Sequence, residues 1–296
     1  MGMKMLSVAL AAIALGAVTV APASAATGND IIEIRSVARG DCLQPDSAQP
    51  HAGPGAGACT GELSQRWEVI PVGEGRQLLR NLASTECLSE KYGSYYCDDE
   101  AADMRVELVP DGSGPVRLKI VDEYLTGFTF SDGSRAFWFS GFSAGDEQRW
   151  QVRQVGRTTP PADTAGQVVN IRTVDFTYGC LYQTTDNKLM PLQLPCGKTD
   201  YQKFQRIELG NGRTALRGLA NGKCVAASAS QPLEIEVVSD CSPDDVRQQW
   251  SIEPTMTGAV RIREASGERL LTPGDGWVFL YPRQNNSWQL WELTAA

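Results

Sequence analysis

Histidine is nearly absent from this chain: His51 is the only one in 296 residues. A Ser-His-Asp or Cys-His device would rest on that imidazole alone. It lies in Pro50-His51-Ala52-Gly53-Pro54-Gly55, a segment read as too flexible to aim a general base. There is no C-x-x-C, and with one histidine a zinc set is disfavoured. H-E-x-x-H, Walker A and dinucleotide fingerprints are missing. A carboxylate pair for glycoside hydrolysis survives mere counting of acids, but the repeats described below consume the chain and leave no separate catalytic domain. The expectation is a protein that binds, not an enzyme, with no cofactor and no metal.

Clustered positive charge is missing too. Lys and Arg number 27 against 35 Asp and Glu, a net charge of −8, and no basic run occurs. Nucleic acid and anionic membrane surfaces would be repelled on average. No stretch keeps an apolar face at helical spacing, and beyond the first residues none is apolar enough to span a bilayer. Membrane insertion is not expected.

The start of the chain reads as an export signal. Lys4 precedes the apolar stretch Leu6 to Val20, and Ala23-Ser24-Ala25 offers the small-x-small site of a signal peptidase. Residues 1–25 are therefore expected to be removed and the protein secreted. The eight cysteines, at 42, 59, 87, 97, 180, 196, 224 and 241, all follow that site. An even count in an exported chain implies disulfides. Their grouping into close neighbours favours sequential pairing: Cys42 with Cys59, Cys87 with Cys97, Cys180 with Cys196, and Cys224 with Cys241. Each such loop stabilises by about 3 kcal/mol in the chain-entropy model.

The strongest signal is a repeat. Gln65-Arg66-Trp67-Glu68-Val69 recurs as Gln148-Arg149-Trp150-Gln151-Val152, Gln248-Gln249-Trp250-Ser251-Ile252 and Gln289-Leu290-Trp291-Glu292-Leu293. Met104-Arg105-Val106 and Gln205-Arg206-Ile207 read as two weaker copies. Three copies fall in each half of the chain, and the cysteine couples occupy the first two repeats of each half. Tyr124 and Leu270 stand where the third repeats would carry a first cysteine. After each motif the apolar residues alternate with period two, and turn pairs such as Asp111-Gly112, Asp132-Gly133, Asn211-Gly212, Asn221-Gly222 and Asp275-Gly276 separate the segments. Short strands with many turns, in units of about forty residues, point to an all-β fold. A polar, Pro-bearing stretch, residues 156–166, reads as the linker between domains at 30–155 and 167–294.

These Q-x-W repeats, three per domain with cysteine couples, resemble the ricin B-type lectin family. The resemblance implies two tandem β-trefoil domains. It also implies that Trp67, Trp150, Trp250 and Trp291 meet in the cores, with Val106 and Ile207 as apolar substitutes. Family sugar pockets carry an Asp just after the first cysteine, an aromatic platform near the second and an Asn before the Q-x-W. Here Gln44, Ser89, Tyr182, Ala226, Thr126 and Thr272 stand two places after the cysteine position, so no complete family pocket is present. The remaining candidates for carbohydrate binding lie in the third repeats: Asp132 with Trp138, and Asp275 with Tyr281, Trp277 and Asn285 nearby. Tyr92, Tyr95 and Tyr96 form a further candidate sugar site or protein-contact patch. Two functions follow as expectations. One is a secreted lectin for cell-surface or cell-wall glycans. The other is a non-catalytic targeting or adaptor subunit of a secreted toxin or inhibitory complex, binding another secreted protein.

Overall fold

In a computed structural model, residues 28–47, 51–112, 114–159, 164–175, 179–186, 188–230, 233–237, 240–274, 276–284 and 286–296 are described. The export segment 1–25, Asp275 and Asn285 lie outside them. The described residues form twenty-four strands and six single 3-10 turns. No helix among them is long and apolar enough to cross a membrane.

The first half contains β1 (Asp30–Ser36), β2 (Cys42–Pro45), β3 (Pro54–Gly57), β4 (Arg66–Gly73), β5 (Arg76–Asn81) and β6 (Cys87–Ser89). It continues with β7 (Gly93–Tyr95), β8 (Val106–Pro110), β9 (Val116–Ile120), β10 (Glu123–Thr129), β11 (Arg135–Ser140) and β12 (Trp150–Arg157). Strand β1 pairs with β4 and β12, β4 with β5, β5 with β8, β8 with β9, and β9 with β12. Those pairings close a six-stranded antiparallel barrel, which removes the open edges that invite aggregation. The other strands form three hairpins, β2–β3, β6–β7 and β10–β11. A barrel strand, a hairpin and a second barrel strand, repeated three times, make a β-trefoil.

The second half repeats this plan. Its strands are β13 (Val168–Thr173), β14 (Cys180–Gln183), β15 (Leu189–Leu192), β16 (Lys203–Gly210), β17 (Arg213–Gly218) and β18 (Val225–Ala227). They are followed by β19 (Ile235–Val237), β20 (Trp250–Pro254), β21 (Val260–Glu264), β22 (Arg269–Pro273), β23 (Val278–Pro282) and β24 (Trp291–Ala295). The ring runs β13–β16–β17–β20–β21–β24 and closes from β24 onto β13. Hairpins β14–β15, β18–β19 and β22–β23 complete the second trefoil. The chain is thus two tandem β-trefoils.

Each trefoil has its own core. Trp67, Val106 and Trp150 pack with Ile34, Leu43, Leu88, Leu125 and Phe137 in the first. Phe204, Trp250 and Trp291 pack with Ile171, Leu181, Leu216, Val225 and Leu271 in the second. Here the sequence register needs correction. Phe204, fully buried, is the counterpart of the tryptophans, and Ile207 is only part-buried on β16. The motif of this repeat is therefore Gln202-Lys203-Phe204. Ile207-Glu208-Leu209 carries the period-two alternation that Phe204-Gln205-Arg206 lacks, so pattern alone favours a three-residue slip, whereas only Phe204 fills a tryptophan-sized space.

The four disulfides pair sequentially: Cys42–Cys59, Cys87–Cys97, Cys180–Cys196 and Cys224–Cys241, with Cα atoms 4.9 to 5.6 Å apart. One further periodicity is absent from the sequence reading. Opposite each first-cysteine position stands a basic residue: Arg35, Arg80, Arg172 and Arg217 face cysteines, while Lys119 faces Tyr124 and Arg263 faces Leu270. Between the halves, β12 runs to Arg157 opposite Asp30, and Thr158 N–H donates to the Asn29 carbonyl at 2.8 Å. Beyond 160–163, Thr164 is buried and accepts a hydrogen bond from Arg206 at 2.6 Å.

Candidate functional site

The repeated Gln and Trp side chains are frame. The indole N–H of Trp67 donates to Leu43 O, Trp150 to Leu125 O, Trp250 to Val225 O and Trp291 to Leu271 O, all at 2.9 to 3.1 Å. A buried indole thereby satisfies its one donor. The glutamines act as clamps across the loop before each 3-10 turn. Gln65 accepts from the Thr60 N–H and donates to Ala58 O, and Gln148, Gln202, Gln248 and Gln289 bridge their own loops in the same way.

Four of the six residues two places after a first-cysteine position have joined this frame. Gln65 donates to Gln44 at 2.9 Å, Gln148 to Thr126 at 2.8 Å, and Gln289 to Thr272 at 3.0 Å. Ser89, fully buried, donates to Asp103 at 2.9 Å. These side chains point inward and are occupied.

The outer face of the β10–β11 hairpin offers more. Trp138 stands opposite Thr126 and stacks on Phe128, with centroids 3.4 Å apart and an interplanar angle of 17°, and it remains 37% exposed. Phe130 leans toward it at 5.6 Å and is itself exposed. Asp132 is not beside this ring. It sits in the hairpin turn, where its Oδ1 accepts from the Ser134 hydroxyl at 2.6 Å and N–H at 2.9 Å. The hydroxyl first, then the N–H, holds its carboxyl below the usual carboxylate range. Trp138 lies three residues along β11 from Arg135, roughly 10 Å further from the turn.

In the second half Tyr281 is part-buried, opposite Leu270, with its ring 5.9 Å from Phe279. The residue opposite Thr272, and so the counterpart of Trp138, is Phe279. It lies over Gly274, the counterpart of Phe128; a Cβ there would meet the Phe279 ring at 2.8 Å. Tyr281 corresponds to Ser140. Sequence spacing missed Phe279 because the hairpin lengths of the two third repeats differ. Trp277 is 41% exposed, and Lys188 sets its ammonium 4.6 Å from the ring centroid, a cation–π contact between two hairpins.

The loop carrying His51 is anchored, which corrects the reading that it is too flexible to aim a side chain. His51 N–H donates to both oxygens of Glu86 at 3.1 Å, and its Nδ1 lies 3.1 Å from Glu86 Oε1. Its ring packs 4.5 Å from Tyr95 and 5.0 Å from Tyr96, and its backbone takes a φ of 61°. Glu86 is buried and also accepts from the Ser94 hydroxyl at 2.8 Å. Burial, with the nearby charge of Asp175, pushes the Tyr95 hydroxyl up. The described partners of His51 include no serine, threonine or cysteine side chain that it could activate.

Among the described residues, one group has metal-like spacing: Glu33, Cys42 and Cys59. The two sulfurs are bonded to each other and offer no thiolate.

No protein-family model matches the chain, and no curated protein matches it in sequence. Among solved structures, one described as "Structure and mode of action of a mosquitocidal holotoxin" aligns over 90% of this chain at 13% identity and a TM-score of 0.39. This chain spans about a third of its length, 34%. The designed threefold-symmetric protein ThreeFoil aligns over 42% of this chain and 99% of its own, at 19% identity and 0.39. The hemolytic lectin CEL-III aligns over 90% and 64%, at 18% identity and 0.35. These likenesses assign no ligand, partner or activity to this chain.

Proposed function

We propose that this chain is a secreted, non-catalytic carbohydrate-binding protein of the ricin B-type kind, with its sugar contacts on the third-repeat hairpins. The carrying observation is Trp138: a large ring held in one orientation by Phe128 while more than a third of it stays exposed. A sugar presents a face of C–H groups that such a ring can cover, and a ring already fixed loses little freedom on binding. Phe279, Tyr281 and Trp277 furnish the matching face of the second trefoil, and Asp132 is the polar group of the first hairpin's turn. Export is supported by the signal-like start and the four disulfides.

The adaptor reading keeps one observation in its favour. Phe130, Phe142, Trp277 and Trp288 are exposed aromatics, the residue type that anchors protein contacts. The deciding experiment is a glycan array probed with the native protein and with a Trp138→Ala, Phe279→Ala, Tyr281→Ala triple variant. Binding that is lost in the folded variant supports the lectin. A blank array at high protein concentration, or binding unchanged in the variant, overturns it in favour of the adaptor.

A further inference from the structure

Away from the hairpins, the two trefoils meet at a charged junction. Asp98, Asp99 and Glu100 follow Cys97 in the first half. Arg261, on β21 of the second, sets its Nη2 3.3 Å from Asp98 Oδ1, 3.6 Å from Asp99 Oδ1 and 3.7 Å from Glu100 Oε2. The Arg261 side chain is only 5% exposed and that of Asp98 3%. Arg283, just after β23, pairs with Glu100. The Met256 N–H donates to Asp99 Oδ2 at 3.0 Å, and Arg80, whose Nε and Nη2 hold Glu68, donates from Nη1 to Thr257 O at 2.8 Å. Arg105 of the first half reaches the cluster through the Asp99 carbonyl, not its carboxylate.

Three carboxylates thus face two guanidiniums, and one negative charge is in excess. In water that excess would matter little. Here Asp98 Oδ2, Asp99 Oδ1 and Arg261 Nε are buried without a hydrogen-bond partner. A buried, incompletely paired carboxylate is relieved most directly by a proton. Burial is the largest influence on Asp98 and pushes its carboxyl up. Asp99 and Glu100 act in the same direction, while the Glu100 N–H and Arg261 oppose them only in part.

We infer that docking of the two trefoils takes up one proton on the Asp98-Asp99-Glu100 cluster, so that the halves hold each other more firmly as pH falls toward the ordinary carboxylate range. The sign follows from linkage. Separated, Asp98 is solvated and binds a proton with ordinary carboxylate affinity; docked, it binds one more tightly. Acid favours whichever state binds the proton more tightly. Between those two affinities the docking equilibrium shifts by about tenfold per pH unit. The opposite behaviour, acid cutting the Arg–carboxylate pairs and opening the junction, requires those pairs to outweigh burial at Asp98.

The test uses the full chain. Small-angle scattering gives its maximum dimension, and hydrogen exchange gives the protection factor of the Met256 amide, both at about pH 4.5 and about pH 7. The expected result is a smaller dimension and higher protection at the lower pH. Asp98→Asn, which mimics the protonated carboxyl, should be compact and protected at both values. Glu100→Gln, at the exposed rim, removes the excess charge and should flatten the pH dependence; it carries the test if Asp98→Asn does not fold. Protection that falls on acidification overturns the inference. So does a wild-type pH slope in either folded variant.

Discussion

Gln148 donates its side-chain amide to the hydroxyl of Thr126 at 2.8 Å. Thr126 passes its own proton to the Tyr124 carbonyl or the Ser140 hydroxyl, so a position that could have faced a ligand instead supports the loop clamp. Thr126→Val keeps the shape and removes the acceptor. It should destabilise the first trefoil by about 1–3 kcal/mol, read from urea unfolding, without changing glycan binding.

The register of the fourth repeat is open to a direct contrast. Gln202 is buried and bridges Lys198 N–H and Pro195 O, whereas Gln205 is part-buried and accepts from Arg217 on the neighbouring strand. Gln202→Leu should cost about 1–3 kcal/mol. Gln205→Ala should cost under about 1 kcal/mol. Equal losses in denaturant midpoint would restore Ile207 to the core position.

Aromatic truncations should separate frame from surface. Trp150→Ala and Trp291→Ala remove fully buried rings and should each cost about 3–5 kcal/mol, enough to unfold their trefoils in near-ultraviolet dichroism. Trp138→Ala loses mainly the stack on Phe128 and should cost about 1 kcal/mol, leaving the dichroism intact. Unfolding by Trp138→Ala would place it in the frame and remove it as a sugar platform.

The two cores share no side chain, and each half holds two disulfides. Residues 28–159 and 164–296, produced separately and oxidised, should each unfold cooperatively. A disordered spectrum from either half would show that the junction at Arg261 supplies fold stability as well as docking.

The barrel plan was legible because Trp67, Trp150, Trp250 and Trp291 mark one buried position in units of similar length. Val106 was recoverable from the same spacing. Phe204 was not, since Ile207 carries the alternation that Phe204, followed two places on by Arg206, lacks, and only the size of the buried space picks Phe204 out. The ring of basic residues from Arg35 to Arg263 escaped notice because it appears only once strands are paired. Of the candidate site, Trp138 was visible as an aromatic in the right hairpin. Phe279 was hidden by a difference in hairpin length, and the isolation of Asp132 by ordinary turn chemistry at Asp132-Gly133. Arg261, the charged partner of Asp98, is 163 residues away in sequence, beyond any local pattern.

Because β1 pairs with β12 from Asp30 to Arg157, and β13 with β24 from Val169 to Ala295, entry and exit of each trefoil are neighbouring strands. A unit whose ends lie side by side can be spliced into a surface loop of a host protein without prising that loop apart. It can equally be reopened at a hairpin turn and rejoined at its old ends. Either trefoil should therefore travel as a cassette, carrying its third-repeat hairpin to a scaffold of choice.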